Sequence, residues 1–133
     1  MQNQILNQTS TPTETTPIIS LVIPVFNEME VLPLLFERLR KVMHDLKLDY
    51  EMVMVDDGSK DSSADFLIRQ AQQDACVRAV ILSRNFGKEA ALSAGLEQAQ
   101  GEVIIVLDAD LQNPPELIPD MLRNGALGLI SWP

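Results

Sequence analysis

The residues best placed to do chemistry in this chain are Asp108 and Asp110, one residue apart at the end of the apolar run Val103-Ile104-Ile105-Val106-Leu107. Two carboxylates held that close repel each other unless a cation lies between them. Such a pair suits a hard divalent ion, whose remaining ligands are commonly phosphate oxygens. Asp-x-Asp alone is a weak signal, with roughly one copy expected by chance in so acidic a chain. Its placement strengthens it. A short continuous apolar run reads as a strand buried on both faces, and an open parallel α/β sheet binds its ligands outside the carboxyl ends of its strands.

Three more loops carry polar residues at such ends: Pro24-Val25-Phe26-Asn27-Glu28, Asp56-Asp57-Gly58-Ser59-Lys60-Asp61 and Ser83-Arg84-Asn85-Phe86-Gly87-Lys88. In the second, Gly58 can take positive φ while an Asp or Ser caps the next helix. The turn needs one carboxylate, which leaves Asp57 to accept a ligand N–H. Asn27 and Glu28 either cap the helix that follows or touch the ligand. Arg84 and Lys88 flank Gly87 ahead of a helix N-terminus, either as a solvated basic pair or as the phosphate side of a site. Gly87-Lys88 is no Walker loop, since the upstream glycine and the following Ser/Thr are missing. The convergence of four loops on one sheet edge is the argument for a site.

The elements that position these loops alternate. Ile18 to Ile23 reads as a strand stopped by Pro24. A helix from about Met29 places Leu35, Leu39, Val42 and Leu46 on one face, with Pro33 near its start. A strand over Tyr50 to Val55 precedes a helix carrying Ala64, Leu67, Ile68 and Ala71, with Asp61 or Ser62 as N-cap. A strand over Val77 to Leu82 leads to a helix over Lys88 to Gln100, closed by Gly101 as its C′ residue. After Asp110, Asn113 as N-cap, Pro114 at N1 and Glu116 in a box-like cap open a last helix, which Pro119 bends. Alternation of this kind predicts an α/β, Rossmann-like fold: a parallel sheet of about four strands with flanking helices.

The composition is that of a globular chain, with 133 residues, 46% hydrophobic and 22% charged. A net charge of -9 argues against a nucleic-acid partner and means a phosphate ligand needs a local cation. One cysteine, Cys76, excludes an internal disulfide and a cysteine-rich zinc site, and fits a reduced structural thiol in the cytoplasm. The single histidine, His44, has no partner motif and reads as solvent-facing or capping. No signal peptide or membrane-spanning run is visible. Residues 1–17 read as a disordered polar arm, and 18–124 as the domain. The apolar, Gly-rich tail over 125–133 lacks a clear period and leaves the fourth strand at or near an edge. The expectation is a truncated chain, or one whose reading frame changed near Asn124.

Four motifs, V-I-P-V-F-N-E (22–28), V-D-D-G-S-K-D (55–61), S-R-N-F-G-K-E-A-A-L (83–92) and L-D-A-D-L-Q-N-P-P-E (107–116), resemble the family 2 glycosyltransferases. Within that family they are similar to the polyisoprenyl-phosphate hexose transferases, such as dolichyl-phosphate mannose synthases and bactoprenol glucosyltransferases. In order and spacing they cover Leu21 to about Leu122.

The resemblance implies the nucleotide-sugar-binding half of a GT-A fold using Mg2+ or Mn2+. It implies that Pro24, Phe26, Asn27, Glu28 and Asp57 contact the nucleoside, and that Arg84 and Lys88 lie along the same pocket. Asp108, Asp110 and Gln112 would engage the metal or diphosphate, with Asp108 and Asp110 serving catalysis. The implied reaction transfers a hexose, with inversion, from a nucleotide-diphosphate sugar to a polyisoprenyl phosphate at the inner face of the membrane; the motif blocks favour uridine over guanosine. The donor half of such a site is present in sequence and the acceptor half is not, so the expectation is donor binding with little transfer by this chain alone. Two other readings are an inactive truncated product and a phospho-receiver signalling module using Asp56, Asp57 and Asp108. In a receiver, however, the acidic pair should follow the first strand. A phosphatase with Asp-x-Asp normally opens on that motif and follows it with Thr or Ser; here Leu111-Gln112 follows.

Overall fold

A computed structural model describes residues 17–112 and 114–123. The elements in chain order are β1 (Ile19–Val25), α1 (Leu32–Leu46), β2 (Tyr50–Asp56), α2 (Ser63–Gln73), β3 (Val77–Ile81), α3 (Lys88–Gln98), β4 (Val103–Val106), a 3-10 turn (Pro115–Leu117) and α4 (Ile118–Arg123). All strand pairs are parallel, and the sheet order is β3-β2-β1-β4. This is the first half of a doubly wound sheet, with its topological switch between β1 and β4. A phospho-receiver would run 2-1-3 instead, so the order sets that reading aside.

Side-chain alternation along each strand splits the core into two layers. Ile19, Leu21, Ile23 and Val25 of β1, with Met52 and Met54 of β2, face α1 and α2, where Leu35, Phe36, Leu39 and Leu67 are buried. Val22, Val53 and Val55 face the other way, onto Ala91 of α3. α3 meets the sheet through small residues, which lets it lie close. β1 and β2 are buried on both faces and carry near-continuous apolar sequence.

Several expectations shift at element ends. Pro24 does not stop β1; it pairs with Val55 inside the strand. The reason is directional. Val22 offers its carbonyl to Leu107 on the β4 side and Val25 offers its carbonyl to Asp57 on the β2 side. The missing N–H of Pro24 therefore faces the β4 side, beyond Val106, where no ladder bond is lost. α1 begins at Leu32 because a turn of Val31 and Leu32 N–H onto the Glu28 carbonyl precedes it, and Pro33 sits in its first turn. Ile68 of α2 is 39% exposed rather than core.

α3 ends at Gln98, two residues early, and Gly101 is not left-handed. Gly101 is required by contact instead: a Cβ there would lie 2.7 Å from Ser20 Oγ. β4 is not buried on both faces. It is an edge strand among the described residues, and Val106 is 37% exposed. The last helix enters through a 3-10 turn, with Pro114 as its N-cap and Pro115 first inside. Glu116 pairs with Arg38 of α1, and Pro119 falls in the first turn of α4, where proline is tolerated. The expected cap Asn113, residues 1–16 of the arm expected over 1–17, and the tail over 125–133 lie outside the described residues.

Candidate functional site at the carboxyl ends of the strands

The sheet delivers all four polar loops to one edge, and hydrogen bonds then organise three of them into a single unit. The first two loops are stitched backbone to side chain. Asn27 N–H donates to Ser59 Oγ (2.8 Å), Glu28 N–H to Ser63 Oγ (3.0 Å) and Met29 N–H to Asp61 Oδ2 (3.1 Å). In return Lys60 N–H donates to Asn27 Oδ1 at 2.7 Å. Asn27 adopts φ +52°, a conformation asparagine tolerates better than most residues. Asp56 serves the turn, accepting Ser59 N–H at 2.9 Å, and its Oδ1 is buried without a partner among the described residues.

The second loop holds the third. Asp57, 4% exposed, accepts Phe86 N–H (2.8 Å), Gly87 N–H (3.1 Å) and the Asn85 amide (3.3 Å). Gly58, at φ +75°, lies under this loop, where a Cβ would come within 2.3 Å of the Arg84 carbonyl carbon. Only glycine satisfies both the conformation and the approach. The anion at the start of α3 is thus the chain's own Asp57.

The fourth loop is joined to the others through Lys88, the first residue of α3, whose ammonium lies 2.6 Å from Asp108 Oδ1. Asp110 Oδ1 accepts Gln112 N–H at 3.1 Å. Together these loops enclose a cavity of about 240 Å³ lined by Pro24, Val25, Phe26, Glu28, Asp57, Lys88, Asp108, Ala109, Asp110 and Gln112. Among those lining side chains four are carboxylates and one is a cation. Burial, together with Asp110, Asp61 and Asp108, pushes the Glu28 carboxyl above its ordinary value of 4.5. The cavity walls therefore repel a phosphate unless more positive charge arrives.

This sequence matches Glycosyl transferase family 2 over residues 20–124. The chain belongs to that family. It is 52% identical over 111 residues to the undecaprenyl-phosphate 4-deoxy-4-formamido-L-arabinose transferase of Pseudomonas fluorescens (strain SBW25), covering 83% of this chain and 33% of that one. The chain thus spans about a third of the length of the curated relatives it matches. A mannosyltransferase of Pyrobaculum calidifontis, solved with GDP-Man and Mn2+, is 27% identical at a TM-score of 0.57, covering 80% of this chain and 31% of that one. Residues 1–349 of TarS from S. aureus share the fold at 20% identity and a TM-score of 0.57, over 79% of this chain and 33% of that one. The matches bear out an α/β GT-A domain. The named relatives are transferases to undecaprenyl phosphate, a coarser agreement with the polyisoprenyl-phosphate branch than the mannose and glucose enzymes the motifs resemble.

Of the residues the family motifs pick out, Pro24, Phe26, Glu28, Asp57, Lys88, Asp108, Asp110 and Gln112 line the cavity. Asn27 and Arg84 do not. Asn27 spends its side chain on Lys60 and Asp61, and the Arg84 guanidinium stacks on Phe86, 4.1 Å from the ring centroid. Asp57 lines the cavity while its carboxylate also accepts three N–H donors from loop three, one on Oδ1 and two on Oδ2. Val25, within the Pro24–Glu28 loop, also lines the wall, and Ala109 is a wall residue that sequence reasoning did not single out; its position between the two aspartates was the available signal.

A divalent cation fits this donor set on chemical grounds. Among the described residues no three His, Cys, Asp or Glu side chains converge to hold a metal by themselves. Two aspartates with Gln112 beside them suit an ion that takes one or two carboxylates and completes its shell with ligand oxygens. No helix among the described residues is long and apolar enough to cross a membrane.

Proposed function

We propose that this chain forms the donor side of a family 2 glycosyltransferase. On this reading it binds a nucleotide-diphosphate sugar, UDP-linked, for inverting transfer to a polyisoprenyl phosphate at a membrane surface. The observation that carries the reading is the single cavity where the Pro24–Glu28 loop meets Asp57, Lys88, Asp108, Asp110 and Gln112. The half-exposed ring of Phe26 offers an apolar face to a base, and Pro24 and Val25 line the wall beside it. Asp108 and Asp110 would hold Mg2+ or Mn2+, which neutralises charge developing on the leaving diphosphate. The mannosyltransferase solved with Mn2+ supports this choice of cation. Lys88 adds a donor for phosphate oxygen. The acceptor oxygen of a lipid phosphate is already anionic, so a strong general base is not required among these residues.

For the sugar, the names of the relatives favour a 4-deoxy-4-formamido-L-arabinose over the hexose that the motifs imply. The chain spans about a third of those relatives, and donor binding is the activity put to test. The test is calorimetric titration of the folded chain with UDP and GDP, each with and without Mn2+. Mn2+-dependent binding of UDP, reduced at least tenfold by Asp110→Ala, is expected. Failure to bind either nucleotide in Mn2+ would overturn the donor-site reading.

A further inference from the structure

We infer that Lys88 is the internal counter-ion of the Asp108–Asp110 loop, seated where the divalent cation must come, so that cation and nucleotide enter by displacing it. The inference rests on the proposed role of the two aspartates and adds a residue that opposes the metal alone yet favours metal and nucleotide together.

The placement carries it. Lys88 opens α3, and its backbone is fixed from behind by Asp57, which holds the N–H groups of Phe86 and Gly87. From that fixed base its ammonium reaches Asp108 Oδ1 at 2.6 Å. Among the described residues it is the one cation lining a cavity that also presents Glu28, Asp57 and Asp110. Asp57 is solvated by the amides of loop three, and Lys88 is the cation set among the carboxylates of Glu28, Asp108 and Asp110. The pair is open to solvent, with side chains 59% and 28% exposed. Exposed pairs of this kind contribute little to the fold and exchange readily.

A divalent ion at the same oxygen is attracted about twice as strongly at equal distance and effective dielectric, so it can replace the ammonium. A metal ion and an ammonium cannot both sit on that oxygen without repulsion. Once released, the Lys88 side chain remains on the cavity wall, in reach of an entering diphosphate. The same charge therefore raises the cost of binding metal alone and lowers that of binding metal with nucleotide.

That reversal of sign is the test. The full chain, with its Lys88→Gln and Lys88→Arg variants, is titrated with Mn2+, reading free ion by electron paramagnetic resonance, without and with saturating UDP. Lys88→Gln should bind Mn2+ alone about two- to five-fold more tightly than the parent, the range an exposed pair commands, and bind UDP in Mn2+ several-fold more weakly. Lys88→Arg, which keeps the charge, should follow the parent in both. Circular dichroism checks that each variant is folded. Unchanged or weaker Mn2+ binding by Lys88→Gln, in a parent that does bind Mn2+, overturns the role of Lys88 and leaves the donor site standing. A parent that takes up no Mn2+ with or without UDP overturns the cation reading and this inference together.

Discussion

The two ends of the sheet treat their carboxylates in opposite ways. At the amino end Glu51, 5% exposed, is met from every side. Its Oε2 accepts Ser20 Oγ–H at 2.6 Å and Gln100 N–H at 2.7 Å, and its Oε1 lies 3.3 Å from Arg78. Ser20 Oγ in turn accepts Gly101 N–H at 2.8 Å, and Arg78 reaches the Gln98 carbonyl. At the carboxyl end Glu28, Asp108 and Asp110 line one cavity in which Lys88 pairs with Asp108, and burial together with the neighbouring carboxylates raises the Glu28 carboxyl. Removing charge from water is costly unless it is paired. The amino end pairs it and ties β1, β2 and β3 to the exit of α3. The carboxyl end leaves it open, and an open acidic wall is stabilised by a cation that arrives from outside. Asp57 lies between the cases: it sits at the site and is satisfied like Glu51.

If that contrast is right, substitution should separate stability from binding. The largest effect is expected at Glu51→Ala. Taking one partner from a buried ionic network leaves Ser20, Gln100 N–H and Arg78 uncompensated, a loss of about 3 kcal/mol. Urea unfolding measures it, and nucleotide binding per folded molecule should not change. Binding that falls in step with stability would break the division between the two ends.

Asp57→Ala comes next. Hydrogen bonds from backbone N–H to a carboxylate are worth about 1.5–3 kcal/mol each at most, and the loop can partly rehydrate. A loss of about 2 kcal/mol is expected. Hydrogen exchange should speed up at the Phe86 and Gly87 amides specifically. Unaltered exchange there would mean that Asp57 does not hold the third loop.

The smallest effect has the opposite sign. The folded state holds the Glu28 proton more tightly than the unfolded chain does, because its carboxyl is raised above 4.5. Stability is then unaffected by this group below pH 4.5 and is lost as pH rises through 4.5 into the raised range. Glu28→Gln should therefore be the more stable protein at pH 7, by roughly 0.5 kcal/mol after solvent screening. The two proteins should converge as pH falls below 4.5. Thermal melts across pH read this out, and a variant less stable at pH 7 would place Glu28 with the paired carboxylates.

The chain's alternation of strand and helix was readable because it depends on local periodicity, and each of the four strands and four helices occurs where apolar spacing put it, within a few residues. The ends moved where a partner decides. Pro24 could stay in β1 only because β4 stops at Val106, and Gly101 is needed for Ser20, a residue far back in the sequence. The Glu51 network carried one visible signal, charged Glu51 and polar Ser20 set in otherwise apolar strands. Without the register that sets them opposite each other, that signal could not be completed.

What the sequence determined by itself was the set of four polar loops at strand ends and the Asp108–Asp110 pair among them. Turn chemistry and strand periodicity are properties of neighbouring residues. Tertiary structure alone decided how each carboxylate is used: Asp57 on loop three, Glu51 on Ser20 and Arg78, Asp108 on Lys88. Those partners lie 20 to 31 positions apart and meet only after the crossovers have stacked the strands side by side.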